Sequence, residues 1–149
     1  PEEQELIESF RSVDRLSDRH VDDLQDLIRQ QWWGGKRTRE ETERMLRHTS
    51  LIIALIDRSS DKLVGFCRAL SDFTFRATIY DVMVDRDLQG RGLGQRLLKE
   101  LCGHPKLLPV SLIYLACEPE LFSFYERHGF KRYESRAHWM MKVQRSEGD

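Results

Sequence analysis

The chain has 149 residues, with 24 Lys or Arg, 25 Asp or Glu and a formal net charge of −1. That length suits one domain with a core of its own, and the even charge balance argues against nucleic acid as the main partner. No stretch is apolar for long enough to span a bilayer and none reads as a signal peptide. The expected setting is therefore the cytoplasm, or an organelle stroma after removal of a transit peptide.

In chain order, residues 4–13 (QELIESFRSV) mix apolar and polar side chains and predict a first strand. Ser17 predicts the cap of a helix over residues 18–30, with Val21, Leu24 and Ile28 on one face. The WWGG run at residues 32–35 breaks it. Thr38 and Glu41 form a capping-box pattern for a second helix that ends near His48. Residues 50–57 and 62–72, joined by a turn through Ser59, Ser60 and Asp61, read as a hairpin. Residues 77–84 (ATIYDVMV) are a third apolar run, expected in the middle of the sheet. A helix follows with Leu93, Leu97, Leu98 and Leu101 on one face. After it come a strand over 110–116, a helix around 120–128 stopped by Gly129, and a last strand over 130–143. This order describes a single α/β domain over residues 1–149, with a mixed, largely antiparallel sheet.

Cys67, Cys102 and Cys117 are odd in number and each follows an apolar residue, which points to buried thiols rather than a disulfide framework. The five histidines are scattered, without HExxH or CxxC-type spacing, and no metal site is expected.

Three glycines in five residues, Gly90, Gly92 and Gly94, stand between the third apolar run and its helix. Glycine costs backbone entropy, so such a cluster needs a reason. A helix N-terminus carries unpaired N–H groups and partial positive charge, and glycines before it let an anion reach the main chain. QGRGLG (89–94) therefore reads as a cradle for a phosphate or diphosphate, or as a tight turn with close helix–sheet packing. The dinucleotide spacing G-x-G-x-x-G after a first strand is not met, and neither is the Walker pattern ending in Lys-Ser or Lys-Thr.

The pattern that is met is Q/R-x-x-G-x-G/A, through Gln89, Gly92 and Gly94, with Val82, Met83 and Val84 upstream. Further on, FYERHGF (124–130) places Tyr125 four residues before Gly129-Phe130. Together these resemble the two signatures of the GNAT superfamily of N-acetyltransferases. ATIYDVMVD and the acidic CEPE are also similar to a narrower group, the plastid and cyanobacterial serotonin N-acetyltransferases and their bacterial relatives. The resemblance implies the GNAT fold, here six to seven strands flanked by about four helices. It also implies acetyl-CoA as donor and a V-shaped opening between the third long strand and the strand after the next helix. Pantetheine would add to the sheet edge at Val82 and Val84. The diphosphate would rest on the amides of Gln89, Gly90, Arg91, Gly92, Leu93, Gly94 and Gln95. The amide of Met83 or Val84 would face the tetrahedral oxyanion.

Acetyl transfer to an amine must take a proton from the ammonium and help a thiolate to leave. Tyr125 matches the family tyrosine that faces the coenzyme sulfur and is the candidate acid; otherwise it is a core tyrosine with a satisfied hydroxyl. Several GNAT enzymes carry Glu or His where this chain has Thr78 and Tyr80, so the base must come from elsewhere. Asp81, alone in an apolar strand, is one candidate, with pairing to an arginine or acceptance of backbone hydrogen bonds as its alternative. Glu118 is another, with capping of the helix that bears Tyr125 as its alternative.

The acceptor side implied by the resemblance holds Trp32 and Trp33, and the candidate substrate contacts are these with Phe73, Tyr80 and Asp81. Aromatic walls suit an arylalkylamine such as serotonin or tryptamine, and equally suit ordinary core packing. Other readings are a non-catalytic acyl-CoA sensor and an enzyme acting on protein lysine or N-terminal amines. Relatives that dimerise make a homodimer an open possibility.

Overall fold

The computed structural model describes residues 2–145. α1 (Glu2–Ser9) runs directly into β1 (Phe10–Val13); α2 (Asp18–Arg29) and α3 (Arg39–Arg47) follow. Both of the latter start where local chemistry says they should. The Ser17 side chain accepts from the His20 N–H, and Thr38 and Glu41 satisfy each other's backbone N–H groups at 3.1 and 2.9 Å.

β2 (Leu51–Asp57), β3 (Leu63–Ser71) and β4 (Arg76–Val84) form a meander, followed by α4 (Leu93–Cys102), β5 (Leu112–Tyr114) and α5 (Phe122–Glu126). The sheet order is β1-β2-β3-β4-β5, antiparallel except for the parallel pair β4–β5.

A core covers each face of this sheet. α4 lays Leu93, Leu97, Leu98 and Leu101 over one face, against Leu55, Cys67, Ala69, Ala77 and Ile79. Its leucine spacing is the 3.6-residue stripe seen in the sequence. α2 covers the other face, packing Leu24, Leu27 and Ile28 against Ala54, Ile56, Leu63, Phe66 and Met83. Cys67 lies at the centre, fully buried, with Sγ 3.7 Å from the Leu97 carbonyl.

Ile79 and Met83 lie four positions apart on β4, and in a regular strand they would share a face. Here they belong to opposite cores. The cause is a bulge: Arg68 pairs with Tyr80 and Phe66 with Met83, so Asp81 and Val82 together oppose Cys67 alone. Asp81 carries the kink at φ +56°.

Three expectations need correction. Residues 4–13 are not one strand, because the Glu- and Leu-bearing first part forms α1 and only Phe10–Val13 pairs. The expected last strand over 130–143 is absent, and the described residues hold a sheet of five strands with five α-helices rather than six to seven with four. A strand needs a partner along its length, and β5 has only three residues. Tyr133, Trp139, Met140, Met141 and Val143 are exposed instead.

Candidate active site

β4 and β5 are paired only from Arg76↔Leu112 to Thr78↔Tyr114. Beyond that point β5 has ended, while β4 runs on to Val84. Residues 79–84 therefore present one edge of their main chain to an opening in the sheet, with N–H and C=O groups that β5 does not pair. Val82 and Val84 pack against the core on the α4 side, whereas Met83 is buried on the α2 side.

The glycine loop closes one end of this opening. Gly90 and Gly92 sit at φ +81° and +82°, a region that side chains disfavour, and a Cβ on either would project into open space. Gly92 caps α4 without any side-chain bond to the first turn, and the first intrahelical bond is Arg96 N–H to the Gly92 carbonyl at 3.0 Å. The amides of Leu93, Gly94 and Gln95 precede that bond and have no partner within the helix. Unpaired donors, the positive end of a helix dipole and clear space above two glycines fit a diphosphate. Gly94 differs from its neighbours: a Cβ there would meet Phe124 Cζ at 3.7 Å and Val84 Cγ2 at 3.9 Å. Those are ordinary contacts, so the position admits alanine, as the motif does. The Gln89 side chain donates to the Val84 carbonyl at 3.3 Å and ties the loop to the end of β4.

Tyr125 comes from α5 into the core that holds Val82, Val84 and Leu93. It is buried, between Phe124 and Phe130 with edge-on ring contacts at 5.0 and 5.9 Å. Its hydroxyl makes no hydrogen bond among the described residues. Burial, then the neighbouring thiols of Cys117 and Cys67, push its pKa up to about 12. The phenol is therefore a neutral O–H donor across the neutral range.

On the α2 side of β4 the wall is made of side chains. Arg68 Nε lies 2.7 Å from Asp81 Oδ2, and Arg37 Nη1 lies 3.4 Å from the same oxygen. The Asp81 side chain is only 8 % exposed. Each guanidinium also stacks on a ring, Arg68 over Tyr80 at 5.0 Å and Arg37 over Trp33 at 4.7 Å. The arginine pairing expected as an alternative for Asp81 is present.

The other candidates are dispersed. Trp32 is 82 % exposed. Phe73 lies before β4, at the end of the strand away from the glycine loop, with Lys106 Nζ 5.6 Å from its ring. Glu118 is exposed at the N-cap of the 3-10 turn Pro119–Leu121, yet its side chain makes no capping bond. The structure thus gathers residues 82–84, 89–95 and Tyr125 around one opening, sets Trp33, Tyr80 and Asp81 on its other flank, and leaves Trp32 and Phe73 apart.

Residues 8–130 match the family model described as the acetyltransferase (GNAT) family. The chain belongs to the GNAT family. It is 43 % identical over 97 residues to the uncharacterised N-acetyltransferase ycf52 of Porphyra purpurea, covering 64 % of this chain and 56 % of that one. The protein of the same name in Pyropia yezoensis is 36 % identical over 125 residues, 81 % of this chain and 71 % of its own. Serotonin N-acetyltransferase 2, chloroplastic, of Oryza sativa subsp. japonica is 35 % identical over 98 residues, 64 % of this chain and 48 % of its own. The chain therefore spans between about half and about seven tenths of the length of these relatives.

Among solved structures, a GNAT-family acetyltransferase of Streptococcus pneumoniae superposes with a TM-score of 0.72 at 24 % identity, over 92 % of this chain and 98 % of its own. An aminoglycoside 6'-N-acetyltransferase complexed with coenzyme A superposes with a TM-score of 0.60 at 27 % identity, over 71 % and 59 %. No helix among the described residues is long and apolar enough to cross a membrane.

Arg68 and Arg37 were missed at the sequence level, although one signal was present. Arg68 is the charged residue within LVGFCRALS, and Asp81 is the charged residue within the next apolar run. Two lone opposite charges in strands joined as a hairpin call for each other, since neither can be buried cheaply alone.

Proposed function

We propose that this GNAT domain is an acetyl-CoA-dependent N-acetyltransferase that moves acetyl to a primary amine by direct attack. The observation that carries this reading is the meeting of three features at one opening: an unpaired stretch of β4, a glycine-rich helix N-terminus, and a buried tyrosine with a free hydroxyl. The first accepts the pantetheine arm as an added strand through Val82 and Val84. The second holds the diphosphate on the amides of residues 89–95. The third, Tyr125, donates its O–H to the departing thiolate.

A main-chain amide at Met83 or Val84 stabilises the oxyanion as the carbonyl becomes tetrahedral. Glu118, exposed on the rim after β5 and making no side-chain bond among the described residues, is the carboxylate open to the incoming ammonium. Asp81 Oδ2 is already shared by two guanidiniums.

The acceptor proposed is an arylalkylamine, serotonin or tryptamine. Support comes from the Trp33 and Tyr80 rings beside the opening and from the name carried by the rice relative. The test is release of free thiol from acetyl-CoA in the presence of a panel of amines, with lysine-bearing peptides in a parallel arm. Turnover with serotonin or tryptamine above that with peptides is expected, and the reverse order would replace the small amine with a protein acceptor. Thermal stabilisation by coenzyme A without turnover on any amine would make the domain an acyl-CoA sensor.

A further inference from the structure

We propose that Asp81 is a positioning residue, whose carboxylate, clamped by Arg68 and Arg37, fixes the kink that presents residues 82–84 to the acetyl donor. This rests on the acetyl-transfer reading above.

The kink has a steric cost. Asp81 at φ +56° occupies the left-handed region, which aspartate tolerates better than most residues but does not prefer. Such a conformation persists only where the surroundings over-determine it. Here they do so with a charge-assisted bond of 2.7 Å from Arg68 Nε and a second contact from Arg37, at a carboxylate that is nearly buried. The two arginines also stack on Tyr80 and Trp33, which narrows the positions they can take. It joins β3, β4 and the α2–α3 connection at one oxygen.

The kink also has a product. It turns the strand so that Met83 faces the α2 core while Val82 and Val84 face the α4 side. The unpaired edge beyond Thr78 takes its orientation from that turn. A general base, by contrast, must accept a proton in every turnover. The Asp81 Oδ2 is held by Arg68 and Arg37 instead.

The experiment compares Asp81→Ala, Asp81→Asn and Arg68→Met with the parent, reading turnover, its pH profile, and amide hydrogen exchange of residues 80–84. Asparagine tolerates the left-handed region and still offers Arg68 an acceptor oxygen. Asp81→Ala is expected to lose at least about tenfold in kcat, and Asp81→Asn to recover to within about threefold of the parent with an unchanged acid limb. Arg68→Met, which removes the clamp without changing Asp81 itself, is expected to behave like Asp81→Ala, and both should speed exchange at residues 80–84. The proposal is overturned if Asp81→Asn falls as far as Asp81→Ala and loses the acid limb, as a base predicts at about 100-fold or more. It is equally overturned if Arg68→Met leaves exchange at 80–84 unchanged. A parent that releases no thiol with any amine would defeat the acetyl-transfer reading instead, and the exchange measurements would still decide the clamp.

Discussion

The donor flank of the opening is built of main chain, and the acceptor flank of side chains. Around residues 89–95 the working parts are amides, two glycines at positive φ and the end of a helix. Across β4 they are Arg37, Arg68, Asp81, Trp33 and Tyr80, drawn from three separate parts of the chain. A main-chain cradle recognises what many donors share, a diphosphate and an amide-rich arm. A side-chain wall can be changed one residue at a time, and under the proposed function it is the flank expected to select the acceptor.

Four measurements would break or sharpen that contrast. The largest effect belongs to the reaction itself: Tyr125→Phe is expected to lower kcat about 10³-fold while coenzyme A still raises the melting temperature as in the parent. A matching loss of coenzyme binding would make the ring, not the hydroxyl, the working part.

Next is Gly92→Val, which adds a branched Cβ at φ +82° in the open space over the α4 N-terminus. Affinity for acetyl-CoA should fall about 100-fold by titration calorimetry, with amine specificity among the residual activity unaltered. If the two flanks were coupled, specificity would move too.

Trp33→Ala is the complementary change: an increase of about tenfold in amine KM, with coenzyme affinity held. Equal KM for all amines in variant and parent would remove Trp33 from acceptor recognition.

The smallest effect is in the pH dependence of stability. Tyr125, with its pKa raised from 10.0 to about 12 by burial, keeps its proton in the folded state after the unfolded chain has lost it. Its contribution is fully present below pH 10.0 and is lost as pH rises to about 12. Denaturant titrations across that window should show a shallower decline in Tyr125→Phe than in the parent.

The main-chain flank was legible in the sequence because its determinants are local. Glycine spacing, the Ser17 cap, the Thr38–Glu41 box and the α4 leucines all act within a few residues of themselves, and each appears where its chemistry placed it. The side-chain flank was not, because a bulge is a property of two strands. Nothing in ATIYDVMV says that Asp81 and Val82 oppose Cys67 together, or that Ile79 and Met83 face opposite ways. The ends failed for a related reason. Glu2–Ser9 carries helix formers where the alternation was imperfect, and residues 130–143 pair with no strand among the described residues. Both errors treated composition as sufficient where pairing decides.

The position of Cys67 has a practical consequence. Its thiol lies between the α4 leucines and the middle of the sheet, with burial pushing its pKa upward, while Cys102 and Cys117 are half-buried. An alkylating reagent should mark those two in the folded protein and reach the third only when α4 lifts from β3. Mass spectrometry of timed labelling would then turn a single sulfur atom into a clock for the opening of the whole domain, with no dye or engineered probe.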